Sequence, residues 1–372
     1  MTHFRTALAV LLAAPAFGAD TLPSPSGLVV HEWGTFTSVA GATGEAVTWD
    51  SLQGPSDLPC FVHKSQVIYK VGGALERMET PVVYFYTQKK GVVSLRADLP
   101  SGHITEWYPQ SASTPNTGRN GGTIEWNVEL TPGPIPNLPA AEAGHYFAAR
   151  ETDATPLRAG GEAEKMLFYR GVANFPTPLN TVFAKDGSLN LRPKSGPVSF
   201  AMLFENRGGK IGYRILRDVS TAQNAAMPEL SNDTANVHRE LREALTTAGL
   251  YPKEAAAMIA TWKDSWFEEG MRLFYITPRS VVDAVLPLHV APAPETIARV
   301  FVGRIELLPE YLKQTLAAAI QTTDKRTIDQ FGRFYFPFRE MMGAQVPAPT
   351  QTYVTGKYAA ASSKVTDKNV CN

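Results

Sequence analysis

An imidazole, a carboxylate and an indole stand side by side in Val30-His31-Glu32-Trp33-Gly34-Thr35-Phe36-Thr37. His-Glu opens the metalloprotease motif His-Glu-x-x-His, in which two histidines four apart share one helix face. Position 35 is Thr, and the Val, Thr and aromatic residues around it favour a strand, so that motif is absent. A divalent metal would instead need His31 to converge with ligands distant in sequence, three or more His, Asp or Glu side chains in all. Glu79 is the first candidate partner; Glu32, His63, His103 and His145 are the others. Met78-Glu79-Thr80-Pro81 leads into Val82-Val83-Tyr84-Phe85-Tyr86, a continuous apolar run that reads as a strand buried on both faces. A carboxylate at the mouth of such a strand is costly unless Arg77, His31 or a metal partners it. The plainer alternative is that His31 and Glu79 are hydrogen-bonded at a sheet edge.

The dipeptide Glu-Trp occurs at Glu32-Trp33, Glu106-Trp107 and Glu125-Trp126. Adjacent side chains on a strand face opposite ways, so each pair would bury its Trp and present its Glu across the sheet. Were the three strands neighbours, their carboxylates would crowd one face, and crowding raises one pKa enough to make a general acid. That arrangement suits glycoside cleavage or metal binding. Glu32, Glu79 and Glu106 are therefore the candidate catalytic residues, and His31 and Glu79 the candidate metal ligands. The alternative is core Trp with Glu solvated or paired with Arg. Arg170, Glu205, Asn206 and Arg207 form a further polar cluster at strand ends. Lys263 to Gly270 closes a helix on which Asp264 and Glu268 lie four apart on one face. Acid at a helix C-terminus opposes the dipole, which singles out Glu268 and Glu269. Ser265 lacks a Gly-x-Ser-x-Gly setting, and Gly208-Gly209 is too short for a phosphate loop. Two cysteines cannot build a Cys-rich zinc or iron–sulfur site.

The elements that must position these residues follow from periodicity and turn signals. Strands are expected at 28–40, 65–71, 82–86, 92–97, 103–108, 123–130 and 166–172, with 82–86 and 92–97 joined as a hairpin through Lys89-Lys90-Gly91. Asp186-Gly187 marks a hairpin of 181–185 with 188–192, and Asn206 to Gly209 one of 198–205 with 210–216. From residue 218 helical patterns dominate. One runs from 234 to 248, capped by Ser231-Asn232-Asp233 and stopped by Gly249; another runs from Pro252 to 267. Strands at 272–276 and 299–307 precede helices at 310–322 and 327–342, the last interrupted by Pro337. The expected fold class is α+β: an antiparallel β-sandwich-like N-terminal region (28–217), then a packed helix-rich region (218–343) and a polar tail (344–372).

Residues 1–18 read as a signal peptide: Arg5, the apolar run Thr6 to Phe17, and Ala16-Phe17-Gly18 as a small-x-small cleavage site. The run is shorter than the roughly 20 residues that a bilayer-crossing helix needs. No later run is long and apolar enough to span, so a soluble secreted or periplasmic protein is expected. Lys plus Arg and Asp plus Glu both number 35, which removes the electrostatic basis for binding nucleic acid or an anionic membrane. In an oxidising compartment Cys60 and Cys371 could form one disulfide tying the tail to the β region.

His31 to Thr37, Met78 to Pro81, Ile104-Thr105-Glu106-Trp107-Tyr108-Pro109, Phe204 to Gly209 and Asp264 to Gly270 together resemble an uncharacterised family of exported bacterial proteins. The resemblance covers most of the chain after the leader. It implies export and a single extended unit, and it transfers no catalytic role. Two functional expectations stand. One is an exported protein with a metal-assisted hydrolytic or lytic site centred on His31, Glu32 and Glu79, with a divalent metal as cofactor. The other is a non-catalytic extracellular or periplasmic binding or scaffold protein with a β-sandwich core, whose partner is an extracellular small molecule or polymer.

Overall fold

The structure is a computed structural model that describes residues 27–52, 58–65, 73–115, 121–134, 137–140, 144–231 and 234–366, with side chains as far as residue 357. The signal-peptide segment 1–18, most of the strand expected at 65–71, the Asn232-Asp233 cap and Cys371 lie outside the described residues, and so therefore does the Cys60–Cys371 bridge.

In chain order the strands are β1 (Val29–Val39), β2 (His63–Lys64), β3 (Glu76–Tyr86), β4 (Gly91–Leu99), β5 (Gly102–Tyr108), β6 (Gly122–Leu130), β7 (Leu157–Ala159), β8 (Glu162–Glu164), β9 (Leu167–Ala173), β10 (Leu179–Phe183), β11 (Leu189–Pro193), β12 (Val198–Arg207), β13 (Lys210–Val219), β14 (Gln223–Ala225), β15 (Gly270–Ile276), β16 (Leu288–Ala291) and β17 (Thr296–Leu307). The α-helices are α1 (Thr234–Thr247), α2 (Pro252–Trp266), α3 (Arg279–Val285), α4 (Glu310–Thr322), α5 (Lys325–Gln330), α6 (Tyr335–Met342) and α7 (Ala348–Thr366). Short 3-10 helices span His145–Arg150 and Gly332–Phe334.

The chain is a mixed, mostly sheet structure built on open sheets. Nine strands form the central sheet in the order β13-β12-β15-β17-β1-β3-β9-β5-β2. β1 lies mid-sheet, antiparallel to β3 and parallel to β17, with Val29 opposite Thr296 and Val39 opposite Glu306. Every residue of β1 is buried, because both its edges are paired and both its faces are covered. The alternation of side chains separates two cores. Trp33, Val82, Tyr84, Met202 and Phe274 meet α1, α2 and the 3-10 helix at 145–150. Val30, Val83, Phe85 and Phe301 point the other way, toward the five-stranded sheet β16-β4-β6-β7-β8. Ala201, Leu203, Leu273 and Ile305 also face away from α2, and they pack with the β10-β11-β14 sheet and α4 to α6.

The hairpins β10–β11 and β12–β13 form where the turn residues place them. Two expectations differ. β3 and β4 are not a hairpin: after Lys89-Lys90-Gly91 the chain leaves the central sheet, and β4 pairs with β6 and β16. The later region, expected to be helix-rich and to pack on the β region, also supplies β15 and β17 to the central sheet beside β12 and β1. The helix expected at 327–342 breaks at Gly332, which has φ +49°, and not at Pro337. Pro337 lies in the first turn of α6, where an amide without a partner costs nothing. Residues 348–366 of the polar tail are helical.

Candidate functional site

Charged side chains scattered between residues 79 and 333 meet where β12, β15 and β17 end beneath α4 to α6. Glu306, 2% exposed, lies opposite Arg272 in the β15–β17 register. Its Oε1 accepts from Arg272 Nε at 3.0 Å and from Arg304 Nε at 2.5 Å. Arg304 also reaches Glu268 Oε1 at 2.7 Å. Arg272 donates to the backbone carbonyls of Trp266, Glu268 and Glu269 at 2.7–3.0 Å, satisfying the C-terminal end of α2. A guanidinium at that helix end offsets the dipole that Glu268 and Glu269 would otherwise oppose.

Glu79, 2% exposed, sits where β3 loses register with β9 and where Thr80 adopts a φ of 46°. A bulge of this kind re-aims side chains. Glu79 accepts from Arg333, and Arg77 lies 3.6 Å away. Burial alone would raise its carboxyl, but Arg333, Arg77 and Arg304 together hold it below the ordinary value. Glu306 behaves alike: burial is outweighed by Arg272 and Arg304. The Phe334 ring carries the guanidinium of Arg304 at 5.4 Å and that of Arg333 at 5.0 Å.

The other side of this network opens on a cleft of about 180 Å³. Glu306, Glu268, Glu269 and Arg207 supply its charged lining. Tyr311, Phe331, Phe334 and Phe338, with Met271, Leu307 and Leu312, supply the apolar lining, and Gly270, Thr315 and Gln330 complete it. Arg207 donates through Nε to Glu205 at 2.7 Å and lies 3.9 Å from the centre of the Tyr311 ring. Burial, reinforced by Glu205, keeps the Tyr311 phenol protonated by raising it above its ordinary value. Glu269 accepts from the Gly208 amide at 2.8 and 3.0 Å. The cleft is somewhat larger than the ~150 Å³ that suffices for a benzene ring.

The residues singled out by sequence are mostly elsewhere. His31 and Glu32 face opposite sides of the sheet. His31 meets Glu254 of α2 at 2.8 Å and stacks near Tyr251 at 4.3 Å; Glu254 also accepts from Tyr86 at 2.7 Å and from the Tyr251 amide. Glu32, fully buried, accepts from the Tyr169 hydroxyl and from Arg299 Nε at 2.6 Å. Glu106 is half-buried near the sheet edge and accepts from Thr105. Glu125 is exposed in the five-stranded sheet, 3.7 Å from Arg96. The three Glu-Trp carboxylates therefore share no face, while Trp33, Trp107 and Trp126 are all core. His31 and Glu79 have separate partners and do not form a common ligand set. Among the described residues no group of three or more His, Cys, Asp or Glu could hold a metal ion. His63 pairs with Glu162 at 3.0 Å, and His145 approaches Asp264 at 3.6 Å.

Glu268, Glu269 and Arg207 do come together, although the sequence placed them in two separate clusters. Sequence reasoning missed Arg272, Arg304, Arg333, Glu306 and Tyr311. A signal was present in β17, where Arg304 and Glu306 interrupt the apolar pattern from Val300 to Leu308: charge inside a buried strand demands partners. The chain matches no protein-family model and no curated protein.

Proposed function

We propose that this is an exported, non-catalytic binding protein whose ligand occupies the cleft between Glu306 and the aromatic wall of α4 to α6. The observation that carries this reading is an aromatic-lined cavity set over a charge network already neutralised from within. General acid–base catalysis requires a carboxylate free to exchange a proton near neutrality. Glu32, Glu79 and Glu306 are each engaged by guanidinium groups, which for Glu79 and Glu306 outweigh burial and hold the carboxyl below its ordinary value. The same engagement leaves them poorly suited to coordinate a metal. Of the two expectations raised by the sequence, binding is the better supported.

The leader-like residues 1–18 and the resemblance to exported bacterial proteins support secretion or a periplasmic location. The five-stranded sheet shares a core with the central sheet, which supports reading the pair as a sandwich-like scaffold. The partner is a small molecule or the end group of an extracellular polymer. Zero formal net charge argues against nucleic acid. Among the described residues no helix is long and apolar enough to cross a membrane.

A fragment library screened by thermal shift against the wild type and Thr315→Trp tests the reading, since Thr315 lies exposed on α4 at the cleft and an indole there would fill it. Ligands that raise the wild-type Tm and fail on the variant are expected. Ligands that act equally on both, or a hydrolytic turnover abolished by Glu32→Gln or Glu79→Gln, would overturn it.

A further inference from the structure

Resting on the binding reading above and sharpening it, we propose that the cleft recognises a small organic cation: an ammonium head group on a compact apolar body, anchored by Glu269. The carboxylates at the cleft differ in how they are paired locally. Glu205 is matched by Arg207, and Glu268 and Glu306 are matched by Arg304 and Arg272. Glu269 also lines the cleft, and its partner is the neutral Gly208 amide; no described cation lies within ion-pair distance of it. An ionised carboxylate has about four lone-pair sites, so one amide leaves it with capacity for a cation.

The walls favour the same chemistry. The negative face of an aromatic ring attracts a cation within about 6 Å of its centre. The protein already uses this attraction at the cleft: Arg207 lies 3.9 Å over Tyr311, and Arg304 lies 5.4 Å over Phe334. Phe331 and Phe338 meet edge to face at 6.2 Å and 87°, forming a corner of the apolar lining. An anion would face three lining carboxylates against one guanidinium, itself committed to Glu205. A neutral molecule would leave Glu269 unmatched. A cavity of about 180 Å³ suits a head group of trimethylammonium size.

Isothermal titration calorimetry with choline and benzyltrimethylammonium, beside the neutral isostere 3,3-dimethylbutanol and the anion benzoate, tests the proposal. Choline is expected to bind about tenfold or more tightly than its neutral isostere, as the attraction of a desolvated quaternary ammonium to aromatic faces and to the Glu269 carboxylate implies. Added salt should weaken that preference. Glu269→Gln retains an acceptor for the Gly208 amide and should bring choline down to the level of the isostere, with an unchanged thermal unfolding profile confirming the fold. Equal binding of cation and isostere, or no loss in Glu269→Gln, would overturn the cation proposal and leave the binding reading intact. No binding by either cation would also overturn it. Binding that survives Thr315→Trp would remove the cleft itself, and both readings with it.

Discussion

Replacing Glu76 by Gln should stabilise the protein at neutral pH, and the gain should grow with pH. Glu76 opens β3 opposite Ala173, 1% exposed. Its Oε2 has no hydrogen-bond partner among the described residues. Burial raises its carboxyl well above the ordinary value of 4.5, and the hydrogen bond from Ser38 offsets only part of that. A carboxyl whose folded pKa is raised contributes most stability below its unfolded pKa and loses it as pH rises toward the folded value. Each pH unit in that window is worth about 1.4 kcal/mol for a single group. The difference between Glu76→Gln and wild type should therefore be small near pH 4. Above about pH 4.5 it should climb by up to ~1.4 kcal/mol per unit until the folded carboxyl ionises. Urea unfolding of both proteins at pH 4, 5, 6 and 7 measures this directly, because subtraction cancels the other titrating groups. A difference that stays flat from pH 4 to 7, or that favours the wild type, would show that Glu76 carries its charge without cost, and the burial argument would fail.

Glu306→Gln removes the carboxylate shared by two buried guanidiniums and should cost about 3–5 kcal/mol in urea unfolding; a loss below 1 kcal/mol would mean that Arg272 and Arg304 find other partners. The depressed carboxyls of Glu306 and Glu79 give the opposite pH signature: their contribution is complete above about pH 4.5 and is lost as pH falls through their lowered folded values. Glu79→Gln should accordingly flatten the acid limb of the stability profile, and an unchanged limb would count against the Arg333 pairing. Gly34→Ala would place a Cβ 2.6 Å from the Phe301 ring and 3.2 Å from Pro81 Cα, so a loss of about 1–3 kcal/mol is expected from overpacking in mid-sheet. An unaltered Tm in that variant would mean that β1 and β17 part more easily than their packing suggests.

Local pattern made several elements legible. The β-branched and aromatic residues of Val29–Val39 mark a strand, Asp186-Gly187 marks the β10–β11 turn, and Pro252 opens α2. The alternation that sends His31 and Glu32 to opposite faces, and Trp33 into the core, is likewise a property of the strand alone. Pairing between distant strands is not. Nothing in the sequence near β1 announces β17 as its parallel neighbour, because register is set by which apolar faces finally bury together.

The site shows the same division. Sequence alone determined that Glu79 stands at the mouth of an apolar strand and so needs a partner, and that Glu32 lies on the face of its strand opposite Trp33. Only the tertiary structure decided that their partners are guanidiniums: Arg299, 267 residues from Glu32, and Arg333, 254 residues from Glu79. The two positions of interest at the end of α2, Glu268 and Glu269, were conspicuous because acid opposes a helix C-terminus. That conflict is relieved by Arg272, which belongs to the next strand and reaches back to the last carbonyls of the helix. The demand for a counter-charge is written in the local burial pattern. Its answer depends on which strands and helices come together in space, and short-range periodicity carries no record of that.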